Sequence, residues 1–249
     1  IIMIDNGKAV VTRQFKKPIY VGDPINSIKI FNDKAVDELL ILDITDKKKA
    51  REPDFGLIEK MASESFMPLA YGGNVTRISE AERIINCGIE KICFNTSLFE
   101  NPEVVRELSH RNGKQSVVAS LDIKKNIWGA YEVRSHGGEK KVRSSLESVI
   151  DLVISLGVGE ILINSIDLDG SMKGYDEVLI SKVTKQVKVP VIACGGANSI
   201  SDFVKAVKSA RASAVAAGAM FFFKGGFNAV LVNYPDQAQL KVGLYEQIE

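Results

Sequence analysis

Apolar and polar positions along this chain alternate between two periods. Short runs rich in β-branched residues read as strands: Glu38–Asp43 (ELLILD), Met67–Tyr71, Lys91–Asn95 (KICFN), Ser116–Asp122 (SVVASLD), Glu160–Ser165 (EILINS), Val189–Cys194 and Ala212–Ala217. Ile1–Asp5 reads as the remainder of a first strand. Between them lie stretches of helical period, among them Ile78–Ile85 and a helix whose first turn holds Pro102, where a missing N–H costs nothing. This alternation predicts βαβ units and a parallel sheet. Eight strands point to the α/β class and, within it, to a (β/α)8 TIM barrel, a fold of about 250 residues. The chain has 249. No Pro/Ser-rich linker or charge block interrupts it, so residues 1–249 are read as a single barrel domain.

A closed barrel is favoured over an open sheet by an internal repeat. Pro68-Leu-Ala-Tyr-Gly-Gly73 matches Pro190-Val-Ile-Ala-Cys-Gly195 at a shift of 122 residues. The same shift lays Glu38-Leu-Leu-Ile on Glu160-Ile-Leu-Ile, and Val75-Thr-Arg-Ile78 on Ala197-Asn-Ser-Ile200. Any α/β protein repeats the phrase strand–glycine–helix, but several matches sharing one shift predict a two-fold half-barrel repeat.

Composition narrows the class without naming a reaction. Apolar residues make up 45% and charged residues 25%, as in ordinary globular proteins. A net charge of +1 gives no reason to expect nucleic acid or an anionic membrane as partner. No apolar run reaches the roughly 20 residues of a membrane helix. The N-terminus lacks signal-peptide features, and also lacks Met, so the true start is expected upstream. Cys87, Cys93 and Cys194 suit reduced thiols in a cytoplasm. With His110 and His136 as the only histidines, no metal site is expected.

Barrel enzymes build their sites at the C-terminal ends of the strands. Here those ends are followed by Gly72-Gly73-Asn74, Asn95-Thr96-Ser97, Asp167-Leu168-Asp169-Gly170-Ser171, Cys194-Gly195-Gly196-Ala197-Asn198 and Ala217-Gly218-Ala219. Glycines let backbone N–H groups approach an anion, and the next helix N-terminus adds a favourable dipole. One such nest per half predicts a phosphorylated small molecule with a phosphate at each end. Asp122 is the candidate acid/base group, because a carboxylate ending an apolar strand projects into the mouth, where burial raises its pKa. The competing reading is a structural Asp capping the turn to Lys124–Lys125. Asp43 and Asp167 also close strands, and Asp169 before Gly170 reads better as an organiser of a phosphate loop than as a base. The polar stretch Lys124–Arg143, with Trp128, Tyr131 and a surface His136, is expected to be a solvated loop more than a hairpin lid turning at Gly137-Gly138. Lys47-Lys48-Lys49 with Arg51 reads as a solvated loop, and Phe221-Phe222-Phe223 as a short helix packed on the core.

At this point a family likeness emerges. Gly22-Asp23-Pro24, Leu42-Asp43-Ile44-Thr45, Phe94-Asn95-Thr96, Glu100-Asn101-Pro102, Ser165-Ile166-Asp167-Leu168-Asp169-Gly170 and Gly174-Tyr175-Asp176 resemble the HisF-type cyclase subunit of imidazole glycerol phosphate synthase, along essentially the whole chain. The resemblance implies a glutaminase partner in a heterodimer, whose ammonia passes through the barrel and attacks a bisphosphorylated ribulosyl intermediate. No cofactor is implied. Two aspartates, ending the first and fifth strands, serve as acid and base, and Asp122 matches the fifth-strand one. Gly73, Asn95 and Thr96 match one phosphate cradle; Asp169, Gly170, Gly195 and Gly196, with Gly218, match the other. Asn164 stands where the family has a Thr beside the substrate. Glu38, Lys91 and Glu160 match the charged ring that gates ammonia at the floor.

Departures redirect the expectation. Counting back from Gly7, the first-strand aspartate falls on Met3, which cannot carry a proton, and the lysine after it falls on Val11. A third glycine is Asn74, and a phosphate-loop Ser is Ala219. Tyr20–Asn26, Phe31-Asn32 and Ala229–Pro235 resemble a paralogous branch associated with glycosyl amidation, which works with a glutaminase and a sugar amidotransferase to turn a surface-sugar N-acyl group into an amidine. The reading carried forward is an ammonia-channelling barrel subunit. The alternatives are an active cyclase of histidine biosynthesis, a lyase yielding imidazole glycerol phosphate and aminoimidazole carboxamide ribotide, and a related sugar-phosphate isomerase, against which Met3 counts equally.

Overall fold

A computed structural model describes residues 1–45, 52–224 and 229–248. The basic run at Lys47-Lys48-Lys49 and Arg51 lies outside them. The chain begins with β1 (Ile2–Asp5), β2 (Lys8–Arg13), β3 (Lys16–Gly22), α1 (Pro24–Asp33), β4 (Leu39–Asp43) and α2 (Phe55–Glu64). β5 (Leu69–Gly72), α3 (Ile78–Asn86), β6 (Lys91–Phe94), α4 (Ser97–Glu100) and α5 (Pro102–Asn112) follow. Next come β7 (Val117–Lys125), β8 (Tyr131–Ser135), β9 (Lys140–Lys141), α6 (Leu146–Ser155), β10 (Glu160–Ser165) and α7 (Glu177–Thr184). β11 (Val191–Cys194), α8 (Ile200–Lys208), β12 (Ala214–Val215) and α9 (Ala219–Phe222) complete the alternation; Phe223–Lys224 then pairs with Ala229–Val230, and a helical segment, Gln237–Ile248, follows.

Parallel pairing runs β1-β4-β5-β6-β7-β10-β11-β12. The Ile1 amino group donates to Ala217 O at 2.8 Å and joins the two ends of this order. The fold is the α/β barrel that the alternation predicts. Side chains on the outer face of the wall, such as Ile41, Ile92, Leu121 and Ile163, are almost fully buried under the helices. Each contributes about 1.5–3 kcal/mol of apolar burial. A smaller inner cluster of Cys93, Val118, Leu162 and Cys194, with Leu40, Leu42, Ile192 and Ala216, fills the barrel interior.

The sequence repeat is matched by the elements at its centre. Shifting β5 and α3 by the 122 residues of the sequence repeat gives β11 and α8 with identical bounds. Both helices begin with a capping box, closed by Glu80 in the first half and by Asp202 in the second.

Several bounds differ from the sequence reading. β5 and β11 start after Pro68 and Pro190, which have no N–H to give a ladder. β6 stops at Phe94, leaving Asn95 in the loop, and β12 shrinks to two residues. β7 does not end at Asp122 but runs on to Lys125, because β8 pairs antiparallel with its last four residues. β8 and β9 then form a hairpin turning at Gly137-Gly138, so the solvated loop expected at 124–143 is an ordered hairpin. The β2–β3 hairpin was not anticipated either. Its register shifts twice and its turn places Gln14 and Phe15 at φ 51 and 59, which blurs the strand alternation. Phe222 is buried and meets Phe31 edge to face, as expected of a core-packing helix.

Candidate functional site

Asp122 lies near the upper end of β7, only 8% exposed. It is in register with Asn164 on β10 and with Arg134 on β8. Burial, reinforced by the nearby Asp169 charge, pushes its carboxyl up to about 7, while a hydrogen bond from Asn164 acts the other way. A carboxyl in this range can both give and take a proton near neutral pH. Asp169 is itself held above the usual carboxylate range by burial, against hydrogen bonds from Thr12 and Phe15. Thr12 Oγ1 donates to Asp169 Oδ2 at 2.7 Å, and the Phe15 amide donates to the same oxygen at 3.3 Å. Met3 faces this group, with its sulfur 3.8 Å from Thr12 Oγ1.

The second-half loops converge. Met3, Val11, Asn164, Asp169, Gly170, Cys194, Gly195, Gly196, Gly218 and Ala219 all line one cavity of about 40 Å³. Small-molecule pockets usually run to roughly 300–1,000 Å³, so the space here suits only a few water-sized molecules. Glycine is required at two of these positions. A Cβ at Gly170 would stand 2.1 Å from Thr12 O, and one at Gly196 2.1 Å from Gly174 O. Cys194 is no ready nucleophile, since burial, then the Asp169 charge, pushes its thiol up to about 12.

The first-half loops are differently engaged. Gly73 closes on the Asp43 carbonyl, 2.4 Å from where its Cβ would be. The Asn95 amide donates to Ser120 O at 2.9 Å and to Arg134 O at 3.4 Å. Thr96 Oγ1 accepts from the His136 amide at 3.1 Å. The β8–β9 hairpin therefore sits directly on Asn95 and Thr96. Its turn crosses the mouth far enough for Gly138 to meet Phe15 and Ile166. His136, expected on the surface, is half-buried and lies 3.2 Å from Glu100. Tyr131 donates to Asp176, whereas Trp128 points outward, 85% exposed.

At the opposite end, Lys91 Nζ lies 2.9 Å from both Glu38 and Glu160 carboxylates. Burial opposes its charge, but hydrogen bonds to the two glutamates hold its pKa above the usual lysine value. Sequence therefore brings together three residues that are 53 and 69 positions apart. Among the described residues no group of three or more His, Cys, Asp or Glu is placed to hold a metal ion. Among them, too, no helix is long and apolar enough to cross a membrane.

A family model described as "Histidine biosynthesis protein" matches residues 1–227. The chain belongs to the HisF-type imidazole glycerol phosphate synthase subunit family. A Pseudomonas aeruginosa protein provisionally named subunit hisF2 is 44% identical over 243 residues, 98% of this chain and 96% of that protein. One from Vibrio vulnificus, provisionally named hisF3, is 43% identical over 94% of this chain and 91% of its own length. A Streptomyces griseus protein named HisF without qualification is 37% identical over 88% and 87%.

Within this HisF-type barrel, residue reasoning did not single out Thr12, which is 3% exposed and anchors Asp169. Its one signal was a hydroxyl directly after the apolar run Ala9-Val10-Val11. Arg134 was also missed, with a buried Nε that has no partner and a bond from Nη2 to Glu132 at 2.7 Å. Nothing in the local pattern marks it, because its position depends on β8 doubling back along β7.

Proposed function

We propose that this chain is the barrel subunit of a glutamine-dependent ammonia-channelling system, acting as conduit and scaffold rather than as a cyclase. A glutaminase would bind at the floor, where Glu38, Lys91 and Glu160 meet. A sugar amidotransferase would draw ammonia from the mouth to convert a surface-sugar N-acyl group into an amidine. The observation that carries the reading is Met3, which sits on β1 opposite Leu42 and beside the cavity. The related cyclases, by the resemblance, need a carboxylate there. A thioether neither takes nor gives a proton, and loss of one member of an acid/base pair costs a factor of roughly 10² to 10⁴. Val11, lining the same cavity in place of a lysine, removes a second polar group. The relatives provisionally named hisF2 and hisF3 are also more similar, at 43–44%, than the Streptomyces proteins named simply HisF, at 36–37%.

The second reading is a working cyclase, favoured by Asp122 with its carboxyl near 7 and by the two glycine-lined loops. One assay separates them. The purified chain is given ammonium salt and the bisphosphorylated ribulosyl intermediate, and imidazole product is followed. The conduit reading expects no enzymatic turnover from the natural chain and measurable turnover after Met3→Asp. Turnover by the natural chain at ordinary enzymatic rates overturns it.

A further inference from the structure

Ile127 and Trp128 stand at the apex of the turn between β7 and β8, 91% and 85% exposed. Such positions usually carry Gly, Asn, Asp or Ser. Two adjacent large apolar side chains there remain in water unless something covers them. The turn that presents them is well fixed. The Asn126 amide donates to Ala130 O and the Gly129 amide to Asn126 O, each at 2.9 Å. Asn126 Oδ1 accepts from the Trp128 and Ala130 amides at 2.9 and 3.0 Å. Gly129, at φ 78, supplies the left-handed residue that closes a short hairpin loop. The base of the turn is tied to α7, where Asp176 takes the Tyr131 hydroxyl at 3.0 Å and Lys125 Nζ at 2.8 Å. Because β7 runs on past Asp122 to Lys125, the apex lies beyond the mouth end of the wall.

Charge gathers at the same end. Residues 124–143 hold six lysines and arginines against two glutamates, a net +4 in a chain whose total is +1. Asp176 is matched by Lys125, and Glu132 by Arg134 and Lys141. Lys124 beside the apex, Lys16 and Lys17 at the β2–β3 turn, and Lys173 after the Asp169-Gly170 loop are exposed and form no ion pair among the described residues. Glu139 and Asp167 oppose them only in part.

We propose that this apex inserts into the headgroup layer of an anionic membrane, with Ile127 and Trp128 at the apolar boundary and the lysines of the mouth drawn to lipid phosphates. An aromatic residue buries about 150–250 Å², so this two-residue point falls short of the roughly 800 Å² per partner of a standard protein interface. It does suit the membrane interface, where Trp is enriched and each nearby lysine strengthens binding about fivefold. Binding there turns the mouth of the barrel towards the bilayer. The proposal does not rest on the conduit reading, since a conduit and a cyclase would carry the same apex.

The test mixes the full chain with vesicles of phosphatidylcholine alone, or of phosphatidylcholine and phosphatidylglycerol in equal parts. Trp128 is the one tryptophan of the chain, so its emission reports the apex alone. With anionic vesicles the emission is expected to move to the blue and to lose its quenching by acrylamide. Half-saturation is expected at about 0.1–1 mM lipid, no tighter than a single acyl anchor. Neutral vesicles should bind at least about 10-fold more weakly, because the lysines then contribute nothing. In co-sedimentation, Trp128→Ala should weaken binding about 10-fold, and Lys124→Glu, which reverses a charge, about 25-fold. Both positions are exposed, so both variants fold as the parent does. An emission spectrum unchanged by anionic vesicles, or equal binding by Lys124→Glu and the parent, overturns the proposal. Protection of Trp128 by a membrane-free cell extract but not by vesicles also overturns it, and assigns the apex to a protein partner.

Discussion

The two halves of the mouth share a scaffold and differ in what rests on it. Gly73 stands against the Asp43 carbonyl, and Gly195 against the Ser165 carbonyl, the same contact repeated after 122 residues. Both loops lead into a helix with a capping box. In the first half, however, the β8–β9 hairpin bonds to Asn95 and Thr96. In the second half, Asn164, Asp169 and four glycines surround open space. Backbone geometry was thus retained through both halves while the side chains that fill it diverged. The clearest divergence is across the barrel, where β7 carries Asp122 and β1 carries Met3.

That contrast makes its largest prediction about pH. The Asp122 carboxyl rises from 3.8 to about 7 on folding, so the folded state binds a proton more tightly than the unfolded one. Its stabilisation is complete below the unfolded value and is lost as pH climbs through 7. Three units amount to about 4 kcal/mol at about 1.4 kcal/mol each. Denaturant unfolding between pH 4 and 8 should show this decline, and Asp122→Asn should flatten it. Met3 contributes no slope. An unchanged profile in the Asn variant would place the titration elsewhere.

The next effect tests where the repeat breaks. Gly196, at φ 105, corresponds under the shift to Asn74, at φ 56. A methyl at Gly196 meets Gly174 O at 2.1 Å in a left-handed conformation, so Gly196→Ala should cost about 3 kcal/mol or more. Asn74→Gly should stay within about 0.5 kcal/mol, since asparagine tolerates this region. Urea midpoints of the two variants measure the difference directly.

How much of this was legible depends on the range of the interactions. The eight wall strands, the shift of 122 and the glycine loops are written in local pattern, because apolar runs and Gly-Gly turns are consequences of the neighbouring residues. The Glu38–Lys91–Glu160 cluster came from the resemblance, and the distances support the grouping. The hairpin over Asn95 was read the wrong way. Its strands are short and mostly polar, and what orders them is pairing with the exposed end of β7. Thr12 was invisible for a related reason: its role is a bond to a residue 157 positions away.

A smaller effect compares the capping boxes. Glu80, 5% exposed, accepts from the Thr76 and Arg77 amides at 2.8 and 3.0 Å and from the Arg77 guanidinium at 2.7 and 3.0 Å. Asp202 accepts from the Asn198 and Ser199 amides at 3.1 and 3.0 Å, without an arginine. Loss of a cap costs about 1 kcal/mol. Glu80→Ala should cost about 2 kcal/mol and Asp202→Ala about 1, because the first also removes two guanidinium hydrogen bonds and leaves Arg77 paired with Glu52 alone. Equal losses would mean that Arg77 adds nothing.

The smallest effect is local. Thr96→Val preserves shape and removes the oxygen that receives the His136 amide, so one hydrogen bond of about 1 kcal/mol disappears. Global stability should barely change, because His136 lies in a turn whose opening does not require the barrel to unfold. Amide exchange at His136 should instead quicken about fivefold, as 1 kcal/mol in an opening equilibrium dictates. Exchange in β11 should not respond, since its ladder is made with β10 and β12. If β11 quickened as well, the hairpin would be coupled to the second half, and the two halves of the mouth would open as one unit rather than independently.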